Sequence, residues 1–333
     1  MKNVKLKMST RPQVTALFTE GYSVRHCIAT LKSCGIKEAN ICFNEEGIVI
    51  QKDSDDRSVV ATVTIRGNDL QKYEYIPQEV NGIRQPYILR GFLVAEMYNS
   101  LASIRKKDGI VIFVLPDDEN IYIQPLKASK DNTPSGYDII RGRQVEHNEW
   151  GFPPFDDVPN AKALASVLNS NCGAMLNAKS VHVEFTSVAG GVRMKGFRAD
   201  GSSGSTRNLG ECAPTETGRP VFELSMPSVS GPSTQTNSLA LKFDPEMLRS
   251  QAAAAGKCSV KVDTSAPGKS RTVHIPQKIV RALSKINNVG SASSLVNVFI
   301  STGEDLVMQI TSPIGACSYG TLSLCINDHD VSN

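Results

Sequence analysis

RTVHIPQKIVRALSKINNVGSASSLVNVFISTGEDLVMQITSPIGACSYGTLSLCIND, residues 271–328, decides how the rest of the chain is read. It opens with a short predicted strand, Arg271–Ile275. Pro276 then stands where a helix can begin, because the first turn of a helix does not use its N–H groups. The helix predicted over Pro276–Ile286 repeats apolar residues at Ile279, Val280, Leu283 and Ile286, one stripe at helical period. Its other side carries Lys278, Arg281 and Lys285, three cations on one face with no acid between them. After the loop Asn287–Ser294 come three predicted strands, Leu295–Ser301, Leu306–Thr311 and Gly320–Ile326. The unit is one amphipathic basic helix over a small antiparallel sheet.

Working outward, the unit recurs. Residues 12–21 read as a strand, followed by a helix over Val24–Cys34 with Val24, Cys27, Ile28 and Leu31 inward. Arg25 and Lys32 share its other side, and Lys37 lies just past its end. Ala39–Asn44, Gly47–Lys52 and Val59–Arg66 form a meander by alternation and turn signals, with an acidic turn at Asp53–Asp56. Lys72–Ile76 adds a strand. A second copy starts at Tyr87–Leu89 and continues into a helix over Phe92–Ile104, with Val94, Met97, Leu101 and Ile104 inward. Arg105, Lys106 and Lys107 close that helix, where its dipole favours cations. Strands Ile110–Leu115 and Ile121–Leu126 follow.

Residues 127–159 are polar and rich in Gly and Pro, a connector with one apolar cluster at Tyr137, Ile139 and Ile140. Trp150, Phe152 and Phe155 open the next domain. Its first helix is predicted over Asn160–Cys172, with Leu164, Val167 and Leu168 inward and Lys162, Ser166 and Asn169 on the other side. Ser180–Thr186 and Val192–Arg198 make a hairpin over Gly190-Gly191. Residues 199–220 read as loop. Beyond them lie strands Val221–Met226, Leu239–Phe243 and Ser259–Thr264 and a helix over Pro245–Ala255. The helix at 276–286, not the one at 245–255, is taken as the second of this half, because the closing strands follow it at the expected spacing. The fold class is α+β. The unit occurs four times: twice in an N-terminal domain, 1–128, and twice in a C-terminal domain, 160–328. Between them lies the connector 129–159; the second domain carries an insertion at about 210–270, and 329–333 is a tail.

The composition excludes several classes. At 333 residues, 40% hydrophobic and 21% charged, the chain reads as globular, not disordered. No apolar run is long enough for a membrane helix, and the basic, polar N-terminus is not a secretory signal. The eight cysteines have no paired spacing and no matching histidine cluster, so they read as reduced thiols, with no metal. No cofactor is expected. The glycines at 201–205 are not a phosphate loop, since no GK[ST] follows. Asp55, Asp56, Asp117 and Asp118 read as turn acids. The five histidines are scattered, and none stands beside a nucleophile motif, so an enzyme is not expected. A net charge of +3 does not by itself mark a nucleic-acid binder; only the placement of charge could.

The doubled strand–helix–meander in two halves, with basic helices, resembles the DNA sliding clamp family of proliferating cell nuclear antigen. KEANICFNEEGIVIQKDSDDRSVVATVTI, RGFLVAEMYNSLASIRKKDGIVIFVL and the C-terminal helix and strands carry the resemblance, which covers roughly 12–328. It is similar in character to the divergent clamps of large DNA viruses. The 210–270 insertion departs from the family pattern, as does the absence of an acidic tail.

The resemblance implies a non-catalytic processivity factor that encircles double-stranded DNA without reading sequence and works in the nucleus or at a cytoplasmic viral replication site. Helices would line the hole and meet phosphates through Arg25, Lys32, Lys37, Arg105, Lys106, Lys107, Lys162, Lys278, Arg281 and Lys285. The plainer reading of each is an ordinary solvated helix face. The resemblance also implies a pocket for a short peptide motif of DNA polymerase and other replication proteins, at Val59, Val60, Tyr137, Ile139, Ile140, Cys325 and Ile326. Alternatively, Ile139 and Ile140 merely pin the connector to its own sheet. Ring closure by edge strands would make a homotrimer, with Ile110–Leu115 and Val192–Arg198 as candidate edges. A monomeric or dimeric herpesvirus-type factor, a checkpoint-clamp subunit and a β-rich viral structural protein are the alternatives.

Overall fold

A computed structural model describes residues 11–80, 82–128, 136–145, 158–188, 191–210, 271–301 and 307–329, all within one compact unit. In chain order the first half runs β1 (Val14–Phe18), α1 (Gly21–Ser33), β2 (Glu38–Phe43), β3 (Gly47–Asp53), β4 (Val59–Arg66) and β5 (Lys72–Tyr75). It continues with the short pair β6 (Glu79–Val80) and β7 (Ile83–Arg84), then β8 (Ile88–Leu93), α2 (Val94–Leu101), β9 (Gly109–Val114), β10 (Ile121–Leu126) and β11 (Asp138–Ile140). The second half runs β12 (Ala161–Leu164), α3 (Ala165–Asn177), β13 (His182–Val188), β14 (Gly191–Phe197) and β15 (Ser203–Leu209). It closes with β16 (Thr272–Pro276), α4 (Gln277–Leu283), β17 (Leu295–Ile300), β18 (Val307–Ile314) and β19 (Gly320–Asn327). Trp150, Phe152 and Phe155, and the elements expected between 221 and 264, lie outside the described residues.

The sheets are not built from one unit each. The strand that precedes a helix pairs with the meander that follows the sister helix: β1 with β9, β8 with β2, β16 with β13 and β12 with β17. This exchange ties the two units of each half together through backbone hydrogen bonds. The two halves are then joined edge to edge. β4 pairs antiparallel with β19 from Val59↔Ile326 to Ile65↔Gly320, giving one eight-stranded sheet in the order β12-β17-β18-β19-β4-β3-β2-β8. The other main sheets are β11-β10-β9-β1-β5 and β15-β14-β13-β16.

The four described helices pack as a row, α2 against α1, α1 against α4 and α4 against α3. Period-2 burial on the strands supplies the surface beneath them: Val14, Ala16 and Phe18 of β1, or Val183 and Phe185 of β13, point into one continuous core. Fully buried Phe18, Phe43, Phe92 and Phe185 anchor it, each side chain contributing about 1.5–3 kcal/mol relative to exposure.

Several boundaries differ from the sequence reading. Phe92 belongs to β8, and α2 ends at Leu101, so Arg105–Lys107 lie in the turn to β9, where Asp108 Oδ2 accepts the Arg105 N–H at 2.8 Å. Residues 161–164 are strand, and α3 starts at Ala165; its buried side is Ala165, Leu168, Cys172 and Met175, while Leu164 and Val167 are exposed. Helix α4 stops at Leu283, which leaves Lys285 just beyond it. The polar stretch at 203–209, read as loop, is the edge strand β15. Ile110–Leu115 and Val192–Arg198 are not edges, because β9 runs between β10 and β1, and β14 between β13 and β15. Among the described residues, the edge strands of those two sheets are β11 and β5, and β15 and β16.

The connector crosses the end of the eight-stranded sheet. Arg143 bridges to Gly91 of β8, and Asn40 Nδ2 donates to the Val145 carbonyl at 3.1 Å. A Cβ at Gly91 would stand 2.4 Å from the Arg143 carbonyl oxygen, so only glycine admits this approach.

Candidate nucleic-acid interface

The helix row gathers cations from both halves of the chain. On α1, Arg25 is half-buried and donates from Nη1 to the Ile104 carbonyl at 2.9 Å, with its guanidinium 6.0 Å from the Tyr22 ring centroid. Lys32, about two turns further along the same face, is exposed and places Nζ 4.4 Å from the ring centroid of Tyr98 on α2. Arg25 and Lys32 therefore straddle the α1–α2 contact. On α4, Arg281 is exposed and donates to Gln277 Oε1 at 3.0 Å, four residues back on the same helix. Lys285 is exposed past the helix end.

His26 shows that these charges converge. Burial, then the Arg25 charge, then the Lys285 charge push its imidazole down to about 4. Among the described residues neither ring nitrogen has a hydrogen-bond partner, and the ring meets Tyr22 edge-on with centroids 4.3 Å apart. A cation from α1 and one from the end of α4 thus act on one neutral ring between them.

Two further cations on this side are already paired. The turn between β3 and β4 brings Asp55 to Lys37 and Asp56 to Lys278. The Lys278/Arg281/Lys285 row, free of acids in the sequence, meets one from 222 residues away. Glu96 of α2 is offset by Arg143 Nη2 at 3.8 Å. Arg105, Lys106 and Lys107 are exposed in the α2–β9 turn. Lys162 does not join the set. On β12 it alternates with core-facing Ala161 and Ala163, so its side chain leaves the sheet on the face away from the helices.

The residues expected to form a peptide pocket divide in the same way. Val59 and Ile326 face each other across the β4–β19 seam and are fully buried under the helices, and Ile140 is also core, so none of these three offers a partner surface. Val60 and Cys325, the next pair along, face the other side and with Val307 form a small buried cluster apart from the main core. Burial pushes the Cys325 thiol up to about 12, which makes it a packing group. Tyr137 and Ile139 lie on another sheet: Tyr137 packs on Phe113 and Tyr122 with centroids at 6.0 and 5.5 Å, and Ile139 is 52% exposed beside them on edge strand β11.

Sequence reasoning missed Tyr22, Tyr98, Gln277 and Val307. It saw Asp55 and Asp56 only as turn acids. Their partners are distant in sequence, and no local pattern announces them. Among the described residues no group of His, Cys, Asp or Glu is placed to hold a metal ion.

Paired units sharing strands, two halves fused through one continuous sheet, and a single row of helices define the DNA sliding clamp fold. The solved structures agree. The chain is similar to the PCNA2–PCNA3 complex from Sulfolobus tokodaii, with a TM-score of 0.60, 12% identity, and coverage of 95% of this chain and 99% of that one. It is equally similar to proliferating cellular nuclear antigen from Entamoeba histolytica, with a TM-score of 0.61, 11% identity, and coverage of 96% and 100%. No family model and no curated protein sequence matches the chain. The fold is that of a PCNA-like clamp with two α+β halves.

Proposed function

We propose that this protein is a DNA polymerase processivity factor, a non-catalytic ring that encircles duplex DNA and tethers replication proteins to it. The observation that carries the reading is the α2–α1–α4–α3 row, on which exposed Lys32, Arg281 and Lys285 and half-buried Arg25 collect from both halves. Cations spread over a helical surface meet phosphates without reaching base edges, so binding is independent of sequence and compatible with sliding. Arg105, Lys106 and Lys107 extend the same surface.

Closure of the ring is assigned to strand addition between copies. Among the described residues β11 and β15 each stand at the end of a sheet, where a further strand can add, and β15 carries Ser, Gly, Thr, Arg and Asn instead of an apolar face. A homotrimer is the assembly we favour. Recruitment of partners is assigned to the sheet faces opposite the helices, where Ile139 is exposed and the Val60–Val307–Cys325 cluster stands apart from the core.

The test combines assembly and topology. Light scattering at micromolar concentration should give three times the 36.0 kDa chain mass. Protein loaded on nicked circular DNA should stay bound and should run off when the circle is cut. A monomer that dissociates from circles and linear DNA at the same rate would overturn the ring.

A further inference from the structure

The ion pairs Lys37–Asp55 and Lys278–Asp56 have a consequence for the strength of DNA binding. The turn that supplies both acids is held by hydrogen bonds. Asp56 Oδ1 accepts the Ser54 and Ser58 hydroxyls at 2.7 Å each, and Ser54 Oγ in turn accepts the Val59 N–H at 3.1 Å. Arg57 closes the turn in the left-handed region at φ 54° and donates its N–H to the Ser54 carbonyl at 2.8 Å. Asn327, at the end of β19, clamps it from outside, donating from Nδ2 to the Arg57 carbonyl at 2.8 Å and from its N–H to the Ser58 carbonyl at 3.0 Å. Asp56 Oδ2 is left aimed at Lys278 on α4.

The acid is thus preorganised, not a flexible surface group that happens to touch a lysine. Burial alone would raise the Asp56 carboxyl, but hydrogen bonds from Lys278, Ser54 and Ser58 outweigh it and hold the group well below the usual carboxylate range. The side chain of Lys37 is largely exposed, and its hydrogen bond to Asp55 pushes its ammonium upward.

We propose that the β3–β4 turn is an electrostatic brake: Asp55 and Asp56 mask Lys37 and Lys278 against DNA phosphates and keep the helix row's grip weak. This rests on the DNA-encircling reading above. A cation that neutralises a phosphate releases a counterion and contributes about 0.9 to the slope of log affinity against log salt. A lysine held by a fixed carboxylate contributes less, because the phosphate must displace that carboxylate. The masked cations come from the α1 end and from α4, so the brake acts on both halves of the chain.

The experiment is salt-titrated binding of a fluorescent duplex to the full chain, run as a double-mutant cycle. Asp→Asn keeps an acceptor for Ser54 and Ser58 while removing the charge. The double variant Asp55→Asn/Asp56→Asn should steepen the slope by up to about 1.8, roughly a tenfold larger loss of affinity over a fourfold rise in salt. Lys278→Gln should change the slope little in the native background and remove the gain in the Asp56→Asn background. Should Asp56→Asn melt the fold, Asp55→Asn with Lys37→Gln runs the same cycle on the exposed pair. An unchanged slope in the Asn variants, with binding still weakened by loss of Lys32, Arg281 and Lys285, overturns the brake and leaves the DNA reading standing. Absence of DNA binding in every variant, native protein included, overturns both.

Discussion

The unpaired cations of the helix row are the sharpest place to test the reading, through the triple variant Lys32→Gln, Arg281→Gln and Lys285→Gln. All three side chains are exposed, and none pairs with an acid in the described structure. Lys32 loses its contact with Tyr98, about 0.5–1 kcal/mol at an exposed site. Arg281 loses one hydrogen bond to Gln277 within its own helix, and surface changes of this kind usually stay within about 0.5 kcal/mol. The variant should therefore fold. If each residue meets one phosphate, the salt slope falls by about 2.7, and between about 50 and 200 mM salt the native protein weakens roughly 40-fold more than the variant. Fluorescence anisotropy with a duplex probe reads this directly. Lys162→Gln is the matched control, because β12 sends that side chain to the opposite face, and its slope should equal that of the native protein. A triple variant with the native slope, or a Lys162 variant with as large an effect, would refute the argument that the helix row meets DNA.

Three other outcomes follow from the same geometry. His26 titrates near 6.5 when unfolded and about 4 when folded, so the unfolded chain binds the extra proton first and stability falls as pH drops from about 6.5 to 4. Allowing for solvent screening of a half-buried ring, the loss is about 1–2 kcal/mol, and His26→Gln should flatten urea midpoints over that pH range. Among the described cysteines, exposed Cys317 should react with a thiol reagent in the native state, while buried Cys34, Cys172 and Cys325, each pushed up to about 12, should wait for unfolding; peptide mapping identifies the labelled sites. Ile139→Lys on the β11 edge should lower the assembled mass toward 36.0 kDa in light scattering, with melting moved by no more than about 0.5 kcal/mol of stability.

Most of the fold was legible in the chain. β4 and β10 have the predicted bounds, and most other described strands differ by one or two residues, because apolar alternation and turn residues are local signals. The exceptions are informative. At β15, SGSTRNL buries only Leu209, and an edge strand with one core residue shows no alternation to read. At 161–164 the Ala-Lys-Ala-Leu sequence suits a helix start as well as a strand, which put Lys162 on the wrong surface. Val59 and Val60 illustrate a signal that was present but passed over. Further along β4, Ala61, Val63 and Ile65 alternate with Thr62, Thr64 and Arg66, and that phase already assigns Val59 to the core face and Val60 to the other.

What the sequence determined was the inventory: four copies of a strand, an amphipathic helix and a meander, with cations on the polar sides of two of those helices, α1 and α4. These depend on neighbours within a dozen residues, where periodicity and turn chemistry act. Only the tertiary structure decided how the copies share strands, which edges remain open, and which cations are free. Sheet pairing such as Val59 with Ile326, and charge pairing such as Lys278 with Asp56, join residues more than two hundred positions apart. At that separation the partner is chosen by packing and Coulomb energy in the folded state, and nothing in the local sequence specifies it.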